Sequence, residues 1–552
     1  MHSGRFLYPS GVGFDDWTIS TGCAPARFAS PALHPWLHSQ APYGAIRPDL
    51  RLSAHRDLAG LALKLKDHGP KMASGGTVSR NLFNGPHGMH LGFPGISSPM
   101  TTATEQIESI NPATGEPVGA VPVTPPSEIP GIVARAAAAA IEWGKRSAQE
   151  RADILRPAGQ VFQDRAEELG ELLTREQGKP LAEGIGEVRG CGARMSDEVN
   201  EIAEAVQPEI LEGDGVTSTL RYDPLGVCAA ITPWNFPILM PHWMVVPALV
   251  AGNTVVLKPS EQTPLIAQAY ADVLNEFLPD GVLQVIHGED EQGKALVAAD
   301  VDLIAFTGSK VVGQNIMAAA ASGLKRLILE LGSKDPLIVL AGADLDKAAE
   351  FAARNSFRNC GQVCVSTERI YVEAPIKDAF ISKLVEKSKA FKVGHGMDEG
   401  STMGPMIRPE QKSHVVAQIQ GAIRAGATLV SGGEDLEGQF VSPTILDGLT
   451  HDMDLMRTET FGPVACVMEV ADADEAVALA NDTEYGLGAV VFGEQAAATS
   501  VANQLTAGMI GVNRSMGGAP GTPWVGARQS GFSYHGGPMG HRQFCQVRVI
   551  TT

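Results

Sequence analysis

Between Ile129 and Ala205 apolar residues recur at i, i+3 and i+4, as in "IPGIVARAAAAAIEWGKRSAQERADILRPAGQVFQ" and "RAEELGELLTREQGK", a spacing that predicts amphipathic helices packed on a sheet. The pattern then changes. Short apolar runs each enter a loop and then a helical stretch: "LGVCAAI" into "TPWNFP", "NTVVLK" into "PSEQTP", "VLQVIHG" into "EDEQGKAL", and "DLIAF" into "TGSKVVGQ". Strand, loop and helix repeated in this way predict an α/β doubly wound parallel sheet, with ligands expected at the carboxyl ends of the strands, where those loops fall. A second α/β pattern, with "DPLIVL", "RIYVEA" and "GPVACVMEV", runs from about Asp335 to Ala497 and predicts a second domain.

Residues 1–99 break this grammar: they contain no glutamate, hold seven of the 14 histidines and carry no sustained periodicity. The segment is expected to be a disordered extension irrelevant to activity, with Met100 as the expected functional start. It lacks a signal-peptide apolar core; its acid-poor, arginine-containing composition fits a transit peptide, but its length and the absence of a basic helix do not.

The whole chain has 552 residues, too many for one hydrophobic core, and a net charge of −19 from 62 acidic and 43 basic residues. That balance argues against a nucleic-acid or anionic-membrane surface, and no apolar run reaches the ~20 residues needed to span a bilayer. The seven cysteines, at positions 23, 191, 228, 360, 364, 466 and 545, include no CxxC pair, so neither a metal site nor a disulfide framework is indicated and a reducing cytoplasm is expected.

Two of those cysteines, Cys360 and Cys364 in "FRNCGQVCVSTER", stand four apart, a spacing that puts both on one face of a helix as small buried hydrophobes unless one is reactive. In "LILELGSKDP", Glu330 closes an apolar strand, where it is either desolvated towards general-base duty or simply exposed. Asn235 of "TPWNFP" could donate to a developing oxyanion. "KPSEQTP" offers Lys258 and Glu261 for ribose or phosphate oxygens, or else a solvated loop with a helix cap. "FTGSKVVG" offers a strand-to-helix turn at Gly308 and Gly313 that could face an anion, yet it lacks both GxGxxG and the P-loop pattern.

Taken together and in order, "TPWNFP", "LKPSEQTP", "FTGSKVVG", "LELGSKDP", "GQVCVSTERI", "ETFGPV" and "SGFSYHGGPMGHRQF" resemble the NAD(P)-dependent aldehyde dehydrogenase superfamily, from about Glu105 to the C-terminus. The resemblance implies that Cys364 is the nucleophile, that Cys360 keeps its core reading, that Glu330 is the base that activates water, and that Asn235 with the Cys364 backbone N–H forms the oxyanion hole. It further implies NAD as cofactor, with NADP as the alternative. Ile231, Thr232, Pro233, Trp234, Lys258, Ser260 and Glu261 would bind it on one side. Gly288, Gly293, Phe306, Gly308, Ser309, Leu331 and Gly332 would form the rest of the cradle, with Glu459 and Phe461 at the nicotinamide end. Two positions depart from the family pattern: Ser333 replaces a glycine just past the base, and Lys310 replaces a threonine.

The implied architecture is a cofactor domain over 100–331 with an oligomerisation hairpin near 207–223, a catalytic domain over 332–505, and a return over 506–552 ending in an oligomerisation strand. A homodimer or homotetramer is expected, since an exposed edge strand invites pairing. Arg358, six residues before Cys364, matches an arginine of the succinate-semialdehyde branch that grips the far carboxylate; a second arginine of that branch is replaced here, at Asn200. Succinate semialdehyde is therefore the expected substrate. The alternatives are a broad aliphatic or aromatic aldehyde range, a CoA-acylating semialdehyde dehydrogenase, and a catalytically silent binding protein on the same fold.

Overall fold

Why the fully apolar runs become strands is plain from their surroundings in the computed structural model, which describes residues 105–552. Val227–Ile231, Thr254–Lys258, Leu303–Gly308 and Arg326–Leu331 are covered on both faces, as a parallel sheet requires. Five parallel strands and one antiparallel edge form a six-stranded sheet in the order Gly531–Phe532, Arg326–Leu331, Leu303–Gly308, Val227–Ile231, Thr254–Lys258, Leu283–Val285. The extension expected over 1–99 lies outside the described residues.

The helical stretch materialises as Ile129–Trp143, Ala148–Leu155, Ala158–Asp164, Ala166–Gln177 and Leu181–Ala205. Ser147 and Glu150 form a reciprocal capping box at the second of these helices. The fourth stops at Gly178, whose φ of 94° is a left-handed conformation that a side chain would strain. Their apolar faces close over the sheet around Trp143, Phe162, Leu173 and Tyr270.

A second sheet of seven strands has the order Thr428–Ser431, Thr444–Asp447, Val464–Val470, Thr367–Glu373, Asp335–Val339, Gly488–Phe492, Met509–Val512, with the first strand alone antiparallel. Its last strand corrects one expected boundary. Met509–Val512 hydrogen-bonds in parallel along Gly488–Phe492, so the second sheet continues past residue 505 and the chain leaves it only afterwards. A third, three-stranded sheet joins Glu209–Gly213 and Val216–Pro224, through a left-handed Asp214–Gly215 turn, to Cys545–Thr551. It carries exposed Ile210, Leu211, Val216, Val547 and Val549.

The shared helical face expected for Cys360 and Cys364 does not form. The helix Leu345–Phe357 ends before them, and Asn359, Cys360 and Gly361 follow in left-handed conformations with φ of 49°, 56° and 68°. A Cβ at Gly361 would lie 2.0 Å from the Gly462 carbonyl, so the chain can turn there only against a glycine. The turn separates the two cysteines: Cys360 packs into the core with its sulfur 3.5 Å from that of Met406, whereas Cys364 is half-buried. Among the described residues no helix is long and apolar enough to cross a membrane.

Candidate active site

Strand Arg326–Leu331 delivers Glu330 at its carboxyl end, buried, with Oε1 3.5 Å from the Trp524 indole nitrogen. Burial pushes this carboxyl up to about 7, partly offset by the Cys364 thiol, the Trp524 indole and the Thr307 hydroxyl around it. The Cys364 thiol is pushed well above its ordinary value, first by burial and then by the neighbouring Glu330 charge. The two groups are therefore neighbours, and a proton leaves the sulfur readily only with a receiver at hand.

The loop bearing Cys364 is tied down by side chains. Asn355 Nδ2 donates to the Val365 carbonyl at 2.8 Å, Ser356 Oγ to that of Thr367 at 2.8 Å, and the Ser333 hydroxyl to that of Cys364 itself. Asn235 is brought to the same loop: its Nδ2 donates to the Gln362 carbonyl at 3.1 Å, which leaves the second N–H of the amide for an oxyanion. The Asn235 main chain is clamped as well, its carbonyl accepting from Lys179 Nζ at 2.9 Å and from Asn359 Nδ2 at 3.1 Å. Lys179 is in turn paired at 2.7 Å with Glu187, whose other oxygen accepts from the Ile238 and Leu239 N–H groups.

The residues implied for the cofactor line the ends of the first sheet. Ile231 ends its strand; Thr232 N–H donates to the Lys258 carbonyl at 3.1 Å, and its buried hydroxyl lacks a hydrogen-bond partner. Pro233 leads into Trp234, whose ring meets Phe461 edge-on at 5.6 Å. Lys258, at the end of the next strand, keeps its Nζ 3.9 Å from Glu261, and burial lowers its pKa. The Ser260 hydroxyl accepts from the Gln262 N–H at 3.2 Å. Gly288 precedes and Gly293 lies within the helix Asp290–Ala298. A Cβ at Gly308 would sit 2.5 Å from the Phe306 ring, and Ser309 caps the helix Lys310–Ala320. These features fit a dinucleotide: an orphan hydroxyl, a helix N-terminus and a strand end kept open by glycine. Lys310 is not turned to it, being paired with Glu484 and lying 5.2 Å over the Tyr485 ring.

At the other end, Leu331 is buried, and a Cβ at Gly332 would lie 2.4 Å from Glu459 Oε2. The Ser333 N–H donates to Glu459 Oε1 at 2.8 Å. Burial first, then the Glu368 charge, raises Glu459 to about 8. Glu368 itself pairs with buried Lys334 at 2.6 Å and accepts from the Thr460 and Phe461 N–H groups, which holds the "ETFGPV" turn. Arg358 lies 3.9 Å from Glu183 and 5.3 Å over the Phe236 ring. Asn200 instead accepts from Arg156 at 3.0 Å.

Sequence reasoning missed Lys179, Glu187, Asn359 and Trp524. Lys179 and Glu187 carried no signal beyond being a cation and a carboxylate near a helix start, and their burial is a tertiary fact. Among the described residues no cluster of histidine, cysteine or carboxylates could hold a metal ion.

A sequence profile described as "Aldehyde dehydrogenase family" matches residues 100–550. Betaine aldehyde dehydrogenase of Sinorhizobium fredii is 38% identical over 462 residues, spanning 81% of this chain and 94% of the relative. Glutarate-semialdehyde dehydrogenase of Pseudomonas putida is 36% identical over 452 residues, spanning 81% and 94%. The crystal structure of succinate-semialdehyde dehydrogenase from Burkholderia pseudomallei superposes with a TM-score of 0.78 at 37% identity, over 81% of this chain and 94% of that one.

Proposed function

The chain belongs to the aldehyde dehydrogenase family, and from that premise we propose that it oxidises an aldehyde to a carboxylic acid through a thioester on Cys364, with NAD or NADP as cofactor. The observation that carries the reading is the placement of the Cys364 thiol beside the buried Glu330 carboxyl, whose charge raises the thiol's proton affinity. The sulfur of Cys364 attacks the carbonyl carbon as its proton passes to a nearby base, Glu330 being the carboxylate that the thiol hydrogen-bonds. The new alkoxide accepts from the Asn235 amide and the Cys364 N–H, donors that can each be worth ~3 kcal/mol. A bound nicotinamide dinucleotide supplies the acceptor for the hydride that leaves this carbon.

Once Glu330 has passed the thiol's proton to solvent, it takes a proton from water; the hydroxide adds to the thioester, the C–S bond breaks, the sulfur takes up a proton again, and the acid leaves. A CoA-acylating reaction needs no such base, so the presence of Glu330 favours hydrolysis. Ile231, Thr232, Pro233, Trp234, Lys258, Ser260 and Glu261 would hold one side of the dinucleotide. Phe306, Gly308, Ser309, Leu331, Gly332, Glu459 and Phe461 would hold the other. Cys364→Ala tests the scheme directly: single-turnover NADH release should vanish, and persistence of release at the wild-type rate would refute it.

For the substrate we propose a small ω-carboxylated aldehyde such as succinate semialdehyde, supported by Arg358 six residues before the nucleophile and by the semialdehyde dehydrogenases among the relatives. A second reading, a neutral or cationic aldehyde, is favoured by the Glu183 carboxylate beside Arg358 and by the betaine aldehyde relative. A cofactor half to Leu331 and a catalytic half beyond it suit this chemistry, and a reducing cytoplasm suits the free cysteines. The apolar residues exposed on the three-stranded sheet support a homodimer or homotetramer.

A further inference from the structure

Ser333 is one of the positions at which this chain departs from its family's glycine, and it stands between the base and the second sheet. Its side chain crosses to the nucleophile loop, 31 residues further on, and donates to the backbone carbonyl of Cys364. Among the described residues no backbone N–H donates to that carbonyl, so with glycine at 333 it would lose this partner. The next carbonyl, of Val365, accepts from Asn355 Nδ2 at 2.8 Å. Each of the two successive peptides after the Cys364 Cα is thereby held by a side-chain donor.

Ser333 also acts through its main chain, because its N–H donates at 2.8 Å to Glu459. The carboxyl of Asp335 lies against the same hydroxyl and accepts from Gly488 N–H at 3.0 Å. Burial, partly offset by the Gly488 N–H and the Ser333 hydroxyl, holds that acid well above its ordinary pKa. The stretch 330–333 then carries both the base and an anchor for the nucleophile. The separation of sulfur and carboxylate is set within a single short segment.

We infer that Ser333 is a positioning residue of this enzyme: its hydroxyl, through the Cys364 carbonyl, holds the thiol in register with Glu330. The inference rests on the reading of Cys364 as nucleophile. A hydrogen bond of ordinary strength restricting a reacting group corresponds to about five- to tenfold in rate.

The test compares full-length wild type with Ser333→Ala, Ser333→Gly, Ser333→Thr and Cys364→Ala, measuring the single-turnover rate of NADH formation, KM for aldehyde and alkylation of Cys364 by iodoacetamide. Ser333→Ala and Ser333→Gly should lower both the single-turnover and the alkylation rates by about five- to tenfold, with KM changed by less than about twofold. Ser333→Thr, which restores a hydroxyl, should recover most of the loss; a residue with a merely structural role would not give this rescue. If Ser333→Ala is poorly folded, Ser333→Gly makes the same deletion on the family's own residue. Unchanged rates in the alanine and glycine variants, or an equal loss in the threonine variant, overturn the role of Ser333 while an inactive Cys364→Ala leaves the nucleophile intact. Oxidation persisting in Cys364→Ala overturns the nucleophile and this inference together.

Discussion

Lys179 donates through its buried ammonium to the backbone carbonyl of Asn235 at 2.9 Å while paired with Glu187 at 2.7 Å, so an ion pair holds the loop that carries the Asn235 amide. Removing one partner leaves the other charge stranded in the interior, which costs about 3–5 kcal/mol in buried pairs. Lys179→Met should therefore lower unfolding free energy by about that amount, and Lys179→Met with Glu187→Gln by less. Urea melts of the single and double variants check this, and equal losses in both would show the pair is not coupled.

Glu330→Gln should release one equivalent of NADH, more slowly than wild type because Glu330 also receives the Cys364 proton, and then stall, because hydrolysis needs the base a second time to activate water. Pre-steady-state absorbance at the nicotinamide band reads it directly. Steady turnover at the wild-type rate would mean another group serves as base.

With Glu330 titrating near 7, the hydrolytic step should rise with pH through about 7 and flatten above it. The stability effect has the opposite sign. The folded pKa lies above the ordinary 4.5, so the contribution of this group is fully present below about 4.5 and is lost as pH rises through about 7. The melting temperature of Glu330→Gln, measured from pH 4 to 8 (on the order of the span between the two pKa values), should fall less over that window than that of wild type; parallel curves would contradict the assignment.

Glu261 at the strand end should favour NAD, since a carboxylate suited to ribose hydroxyls repels a 2′-phosphate. Lys310 does not counter it while paired with Glu484. Glu484→Ala releases that lysine and should improve kcat/KM for NADP more than for NAD. A wild type that works equally well with NADP would refute the role given to Glu261.

Arg358→Leu should raise KM for succinate semialdehyde about tenfold while sparing an uncharged aldehyde of similar length, the worth of one charge-assisted contact. Equal effects on both aldehydes would reduce Arg358 to a brace between Glu183 and Phe236 and favour the second reading of the substrate.

Periodicity alone foretold the strands that hold Glu330 and Lys258, because a parallel sheet covered on both faces writes itself as unbroken apolar runs. It could not foretell the left-handed turn at Asn359 and Cys360, where helical spacing is overridden by the approach of the chain to Gly462. Cys364 and Asn235 were legible through motif context, whereas Lys179 and Trp524 were not, since their roles depend on partners 56 and 194 residues away. The 506–552 boundary failed for a related reason: Met509–Val512 is short, and which sheet receives it is decided by a neighbouring edge rather than by its own four residues.

Strand Arg326–Leu331 is completed on one side by Gly531–Phe532, and Glu330 and Gly332 receive Trp524 and Ser530 from 194 and 198 residues later. Ribosomes emit this polypeptide from its other end, so once made Glu330 stays on a bare sheet edge until Trp524 and Ser530 follow it, exposed to water and to edge-to-edge association. A nascent chain that has already acquired Cys364 thus carries the nucleophile before it carries the desolvated wall that tunes the base. A chain ending before residue 524 would hold Cys364 and Glu330 without the Trp524 indole and the Ser530 hydroxyl that close around the strand end.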